Sequence, residues 1–243
     1  MSLSTTIKQK LTITTFNIRV GVDTHLTQVA QDCCLLNTDI LCLQEIGRGW
    51  QMGVAIDQSA YLAAAQQHAH YMFAPALTDT MGGNFGIAVT SKYSLHNSQF
   101  YKLPCIEDEQ RVCFSFQIMD AIHQQSITVF TTHLSIKQPE RLLQAQFIAH
   151  LVKQTHTPVL LVGDLNDLED SPVLQCLYQT GLQDAWSTLK PMATSEEGYT
   201  FSTAHPNRRI DYLLYKGLVC HSIVKRTDLM SSDHFPVSAS FSM

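Results

Sequence analysis

The chain has 243 residues, 45% of them hydrophobic and 15% charged, with a formal net charge of −5. That is enough apolar material for a sizeable core, and it excludes an intrinsically disordered chain. No apolar run approaches the ~20 residues of a membrane span. The acidic balance excludes a protein that coats nucleic acid through bulk charge, although it leaves room for a local basic site.

Residues 11–17 alternate apolar and polar side chains, the period of a strand. Leu26, Val29, Ala30 and Cys33 then fall at helical spacing, with Asp23 or Thr24 as the expected cap. Residues 39–45 are a short apolar run, read as a buried strand, and the Ala- and Gln-rich stretch 54–69 is read as a helix. Strand-type segments follow at 71–75, 85–90, 94–101, 110–119 and 126–132, with Gly82, Gly83 and Asn84 as a turn. Pro139 opens a helix with Leu142, Ala145, Ile148 and Val152 on one side. Residues 158–163 are continuously apolar and predict a strand buried on both faces. Ser171 and Pro172 join an N-cap to a proline at the first helical position, and Gly181 closes that helix. The last third returns to strands at 210–215, 218–225 and 235–242. About ten strands interleaved with helices are too many for one small doubly wound sheet; two packed sheets with helices outside is the natural solution. No repeat or linker divides the chain, so residues 1–243 are read as one domain with a flexible lead over 1–9.

Seven cysteines, at 33, 34, 42, 105, 113, 176 and 220, form no C-x-x-C pair. An odd count without a framework fits a reducing interior. Cys33, Cys34, Cys42 and Cys113 fall in apolar patterns and are expected in the core. The first eight residues hold no apolar stretch of a secretory leader, so the expected location is cytoplasmic.

The informative residues are the polar ones at the ends of apolar strands. Asn17 ends the first strand and Glu45 the second. His133 follows Val129-Phe130-Thr131-Thr132, and Asp164 and Asn166 follow the run at 159–163. Asp211 opens a strand, and Asp233 and His234 precede the last one. Side chains at strand ends are rigidly placed, and several ends can converge on one crevice. The set is rich in oxygen donors, which suits Mg2+ or Mn2+ rather than zinc. Two histidines beside carboxylates suit proton transfer near pH 7. A hard cation with acid/base histidines is the chemistry of phosphate-ester hydrolysis.

At these residues the chain resembles the endonuclease/exonuclease/phosphatase superfamily, the deoxyribonuclease-I-like fold. The matching blocks are Thr15-Phe16-Asn17-Ile18-Arg19, Leu43-Gln44-Glu45, Thr132-His133-Leu134, Gly163-Asp164-Leu165-Asn166, Arg209-Ile210-Asp211-Tyr212 and Ser232-Asp233-His234-Phe235-Pro236-Val237. Each block alone is weak, but all six in the family's order are specific. The resemblance implies an α/β protein, a four-layer α/β/β/α sandwich of two mainly antiparallel or mixed sheets. It implies a hydrolase of phosphate esters dependent on Mg2+, or on Mn2+, foremost a phosphodiesterase or nuclease-like enzyme. A phosphomonoesterase or a phospholipid-head-group hydrolase is the alternative within the superfamily. A non-catalytic scaffold with the same fold is the alternative outside it. The implied partner is a phosphate-ester substrate, whether nucleic acid, lipid head group or small metabolite; no protein partner is implied.

Carried over by residue, Glu45 resembles the main metal ligand, with Asn17 beside it and Asp233 completing the site. Asp164 resembles the carboxylate that positions or deprotonates the attacking water. Asn166 resembles the amide that orients the nucleophile or phosphate. His234 resembles the histidine that contacts the scissile phosphate, with Asp211 as its partner. His133 resembles the second histidine, a phosphate-stabilising group or general acid. Arg19 stands where some repair endonucleases carry a carboxylate, as in the deoxyribonuclease and phosphodiesterase branches. The long apolar hairpins of the lipid-cleaving branch are absent, and Leu134-Ser135-Ile136-Lys137 does not match the inositol-phosphatase branch.

Arg19, Arg111 and Asn84 are read as contacts to the substrate phosphate. Arg19, Arg48, Lys137, Arg208 and Arg209 each lie within four residues of a proposed site residue. An anionic substrate accounts for that grouping, and so does solvated surface charge. His68 and His70 form an H-x-H, read as a solvated helix end; His25, His123, His150, His156, His205 and His221 are read as solvated too.

Overall fold

A computed structural model describes residues 6–7, 10–120 and 125–243. Among the described residues the elements begin with β1 (Thr6–Ile7), β2 (Leu11–Asn17), α1 (Leu26–Leu36), β3 (Ile40–Arg48), α2 (Gln58–Ala65), β4 (His70–Thr78) and β5 (Asn84–Ser91). They continue with β6 (His96–Lys102), β7 (Val112–Asp120), β8 (Gln125–His133), α3 (Gln138–Gln154), β9 (Val159–Asp164) and α4 (Pro172–Tyr178). The last are β10 (Gln183–Asp184), α5 (Ala185–Leu189), α6 (Ser195–Gly198), β11 (Asp211–Lys216), β12 (Val219–Lys225) and β13 (Val237–Ser242).

Two mixed sheets result. One has seven strands in the order β1-β7-β8-β9-β11-β10, with β6 also paired to β7; the other has six in the order β12-β13-β2-β3-β5-β4. The pairs β8/β9 and β2/β3 are parallel, and most of the others are antiparallel. The core divides into three clusters that correspond to the gaps between four layers. Ile13, Val89, Phe114, Phe116, Val129, Val162 and Phe241 fill the space between the sheets. Phe130, Ile148, Val152, Leu161 and Leu174 seal α3 and α4 onto the seven-stranded sheet. Phe16, Leu26, Val29, Leu43 and Leu62 seal α1 and α2 onto the other. Alternate residues of β2, β8 and β9 serve different clusters, as period-two strands covered on both faces must. This is the expected α/β/β/α sandwich.

The local differences from expectation have physical reasons. The helix over 54–69 starts only at Gln58, where the Asp57 side chain accepts from Ala60 N. The preceding residues form a loop through Gly49 and Gly53, both at positive φ. Neither Asp23 nor Thr24 caps α1. His25 is its N-cap residue, without a side-chain bond. Asp23 pairs with Arg19, and Thr24 donates to Ser231 O. Ser171 does cap α4, by accepting from Leu174 N. Cys33, Cys42 and Cys113 are buried as expected, but Cys34 is exposed and donates to Ala65 O. His68 is buried rather than solvated: its ring bonds the Thr90 hydroxyl at 2.8 Å and Thr38 O at 3.2 Å. Of the lead over 1–9, Thr6–Ile7 pair parallel with Met119–Asp120. The rest of that lead, and His123, lie outside the described residues. No helix among the described residues is long and apolar enough to cross a membrane.

Candidate active site

Strand register builds the centre. β8, β9 and β11 are neighbours, and His133 is opposite Asp164, which is opposite Asp211. Side chains on register partners share a face of the sheet, so these three converge at one level. Gly163, just before Asp164, has φ 150°. A Cβ there would run into the Thr132 carbonyl oxygen, so glycine lets the two strands close up at this row. The other sheet contributes Asn17, the last residue of β2, and Glu45. Glu45 lies where the β3/β5 register slips between Leu43 and Ile46. Its φ of 54° is left-handed. The slip inserts an extra residue and re-aims the side chain, a frequent use of a bulge beside a functional site. His234 arrives from the turn before β13, where it bridges Phe201.

The side chains touch across the two sheets. Asn17 Nδ2 donates to Glu45 Oε1 at 2.9 Å and to Asp164 Oδ2 at 3.2 Å. Its oxygen accepts from Arg19 N at 3.1 Å. Asn17 therefore ties two acids together here. Asp164 Oδ1 accepts from Asn166 N, and the Asn166 amide donates to Leu134 O, both at 2.9 Å. Asp164 Oδ2 lies 3.5 Å from His133 Nε2 and 3.8 Å from His234 Nε2. His234 Nδ1 donates to Asp211 Oδ2 at 2.9 Å. His133 Nδ1 lies 3.0 Å from Arg111 Nη1. Arginine only donates, so His133 Nδ1 accepts and its proton sits on Nε2.

The electrostatics follow from those partners. Asn17, Arg111, His133, Asp164, Asp211 and His234 are all buried. Burial lowers His133 well below the ordinary histidine value, and the Arg111 charge lowers it further. His133 is a neutral imidazole. Burial also opposes charge on His234, but Asp211, with help from Asp164 and Asp233, lifts it to about 10. His234 is an imidazolium at neutral pH. Burial and the neighbouring Asp211 raise Asp164 above the usual carboxylate range. Glu45 keeps some solvent access, yet the protein packed around its carboxylate raises it too, against the bond from Asn17.

These groups fit a hard cation. Asp211 Oδ1 is buried with no hydrogen-bond partner among the described residues. Asp164, Asp211 and His234 offer ligand atoms within 4.8 Å of one another. In that trio, however, the His234–Asp211 bond holds a proton on the nitrogen that faces Asp211. The Glu45 carboxylate is the better place. It is largely desolvated yet open on one side, and among the described residues its one hydrogen-bond partner is a neutral amide, so a divalent ion bound by oxygen would relieve that burial.

The remaining predicted residues occupy the rim or the hinterland. Asp233 is half-exposed; it lies 4.0 Å from His234 Nε2 and 3.6 Å from Arg19. Arg19 is exposed and bound to Asp23 at 2.7 Å. Asn84 is taken up by its hairpin, accepting from Thr78 Oγ1 and donating to Gly82 O. Arg111 is brought to the centre by His133. Arg209 is not at the surface: it is buried against Asp184 and Glu169 at 2.8 and 2.6 Å. Arg48 and Lys137 pair with Asp57 and Glu107. Sequence reasoning passed over Phe201, whose ring packs on His234 at 4.9 Å between centroids. Its only signal is an aromatic set among the hydroxyl residues Thr200, Ser202 and Thr203.

Residues 14–234 match a family model described as the Endonuclease/Exonuclease/phosphatase family. No curated protein sequence matches the chain significantly. Solved structures do. An endonuclease/exonuclease/phosphatase from Beutenbergia cavernae aligns with TM-score 0.82 at 21% identity, over 97% of this chain and 72% of that one. The human Nocturnin catalytic domain, solved with a bound sulfate anion, aligns with TM-score 0.75 at 18% identity, over 98% and 96%. A mannosyl-6-phosphatase from Bacteroides thetaiotaomicron aligns with TM-score 0.76 at 16% identity, over 96% and 100%. At these identities the likeness is one of fold.

Proposed function

This chain belongs to the endonuclease/exonuclease/phosphatase family, and from that premise we propose that it is a metal-dependent phosphoesterase, foremost a phosphodiesterase. The observation that carries the reading is the buried row His133–Asp164–Asp211 with His234 and Glu45 around it. Glu45 is assigned as the main ligand of Mg2+ or Mn2+, with Asn17 and Asp233 beside it. Such an ion, when bound, would neutralise charge on the phosphate oxygens.

The chain's own groups have distinct tasks. Asp164 is a desolvated carboxylate and takes the proton from the attacking water. His234 carries a positive charge fixed by Asp211 and presents Nε2–H to the phosphate; it holds the proton that the departing oxygen needs. His133 is neutral, so loss of its Nε2 proton would leave an imidazolate. That favours a hydrogen-bond donor to a phosphate oxygen over a general acid. Asn166 orients the phosphate or the water. The alternatives carried from the sequence, a phosphomonoesterase and a lipid-head-group hydrolase, use the same groups on another substrate. The mannosyl-6-phosphatase fold likeness keeps the first of these in the test.

The test is an activity panel in Mg2+ and in Mn2+. It holds plasmid DNA, single-stranded DNA, RNA, sphingomyelin, inositol phosphates, mannose 6-phosphate and bis(p-nitrophenyl) phosphate. Turnover of a diester supports the reading. Strict preference for monoesters overturns the phosphodiesterase assignment, and inactivity on all of them favours the scaffold.

A further inference from the structure

The chain contains seven arginines. Six hold a carboxylate within ion-pair distance. Arg208 holds none among the described residues. It is exposed, and its guanidinium lies over the Phe201 ring at 4.4 Å from the centroid. The other neighbour of that ring is His234, at 4.9 Å between centroids. Backbone pairing fixes the stack: Phe201 and Arg208 exchange N–H···O bonds of 3.1 Å, and Phe201 also bridges His234.

The Arg208 charge is thus held one aromatic ring away from His234, the histidine assigned above to the scissile phosphate. It can be no farther from that imidazole than the sum of those two distances. An aromatic face positions a guanidinium without neutralising it. The fork of N–H donors that remains matches the oxygens of a phosphate. The scissile phosphate is already served by His234, His133 and Asn166, so Arg208 has a different anion to meet.

We propose that Arg208 is a specificity residue that reads a second phosphate group of the substrate, next to the ester that is cut. The preferred substrates then carry two phosphates on one small framework, such as a nucleotide or a phosphorylated polyol. This rests on the phosphoesterase reading above, and the test separates the two. Calorimetry, which needs no turnover, compares thymidine 3′,5′-bisphosphate with thymidine 5′-monophosphate, and inositol 1,4-bisphosphate with inositol 1-phosphate. Turnover compares d(pTpT) with d(TpT), which share one diester.

The expected result is that the wild type binds a bisphosphate about tenfold more tightly than its monophosphate. Arg208→Ala abolishes that ratio, and Arg208→Lys recovers part of it. Which pair shows the ratio tells a nucleotide source from a polyol source. In turnover, Arg208→Ala raises KM for d(pTpT) while kcat changes little. An unchanged binding ratio in Arg208→Ala overturns the inference. So does a fall in kcat equal for both dinucleotides, since that reports disturbance of His234 through Phe201. A wild type that discriminates the bisphosphates but cleaves nothing sinks the phosphoesterase reading and leaves this one standing.

Discussion

The two buried histidines of the centre make an instructive pair. Both point Nε2 at the same oxygen of Asp164, at 3.5 Å for His133 and 3.8 Å for His234. Both are almost wholly enclosed. They differ in what touches Nδ1. A guanidinium faces His133 and adds to the burial that keeps it neutral; a carboxylate faces His234 and overrides the same burial to keep it charged. Burial alone pushes both the same way, and the Asp211 carboxylate reverses the outcome at His234 alone. One fold end therefore offers a neutral donor and a positive donor on either side of a desolvated acid, as general acid–base chemistry at neutral pH requires.

The largest expected effect comes from removing the acid that both histidines face. Asp164→Asn should lower diester turnover by about a thousandfold or more. Chemical denaturation should show the fold retained, because the substitution relieves a buried carboxylate.

Asp211→Asn attacks the positive side of the pair. Turnover should fall by about a hundredfold, and NMR titration of the metal-free protein should show the His234 pKa far below about 10. The linked stability has a definite sign. A raised histidine pKa stabilises fully below the unfolded value of 6.5, and that stability is lost as pH rises through about 10. The wild type should lose stability over that alkaline window, and the variant should lose less.

Arg111→Met attacks the neutral side and should have a smaller effect, about tenfold on turnover. His133 should rise yet stay below the ordinary value, because burial is the larger cause and is still present. Here the sign is opposite: the depressed folded pKa stabilises above 6.5, and that stability is lost as pH falls below it. The acid loss should be shallower in the variant. If both substitutions moved the two histidines in the same direction, the neighbour-based contrast would fail.

His68 is the control. It is buried like the other two, but its partners are the Thr90 hydroxyl on β5 and the carbonyl of Thr38, just before β3. His68→Ala should cost about 1–3 kcal/mol of stability through an orphaned bond. Turnover at saturating substrate should stay at the wild-type level.

Much of this was legible in the sequence because strand ends are legible. The alternating segment at 11–17 and the apolar runs at 39–45 and 158–163 announced their own termini, and the polar residues at or just beyond those ends fell into one crevice. What pairwise contact decides was not legible. Nothing in the order of residues says that Arg111 lies against His133 or that Arg209 is sealed behind Asp184. Those partners are separated by one strand register and one sheet edge. The aim of Glu45 was also hidden, because it depends on a bulge whose cause lies in the pairing with β5. Phe201 became visible only through its stack on His234; Arg208 was already grouped with the site by its spacing, but its seat on the Phe201 ring was not legible.

The proposed function stands or falls on Glu45 as the seat of a divalent ion for cleavage of a phosphate diester. The direct measurement is turnover of bis(p-nitrophenyl) phosphate during a Mg2+ titration of chelator-treated wild type and Glu45→Gln. Expected are no turnover without the ion, saturable recovery in the wild type, and a loss of about a hundredfold or more in Glu45→Gln at the same Mg2+. Equal turnover in the presence of chelator, or a variant that titrates like the wild type, would contradict the proposed function.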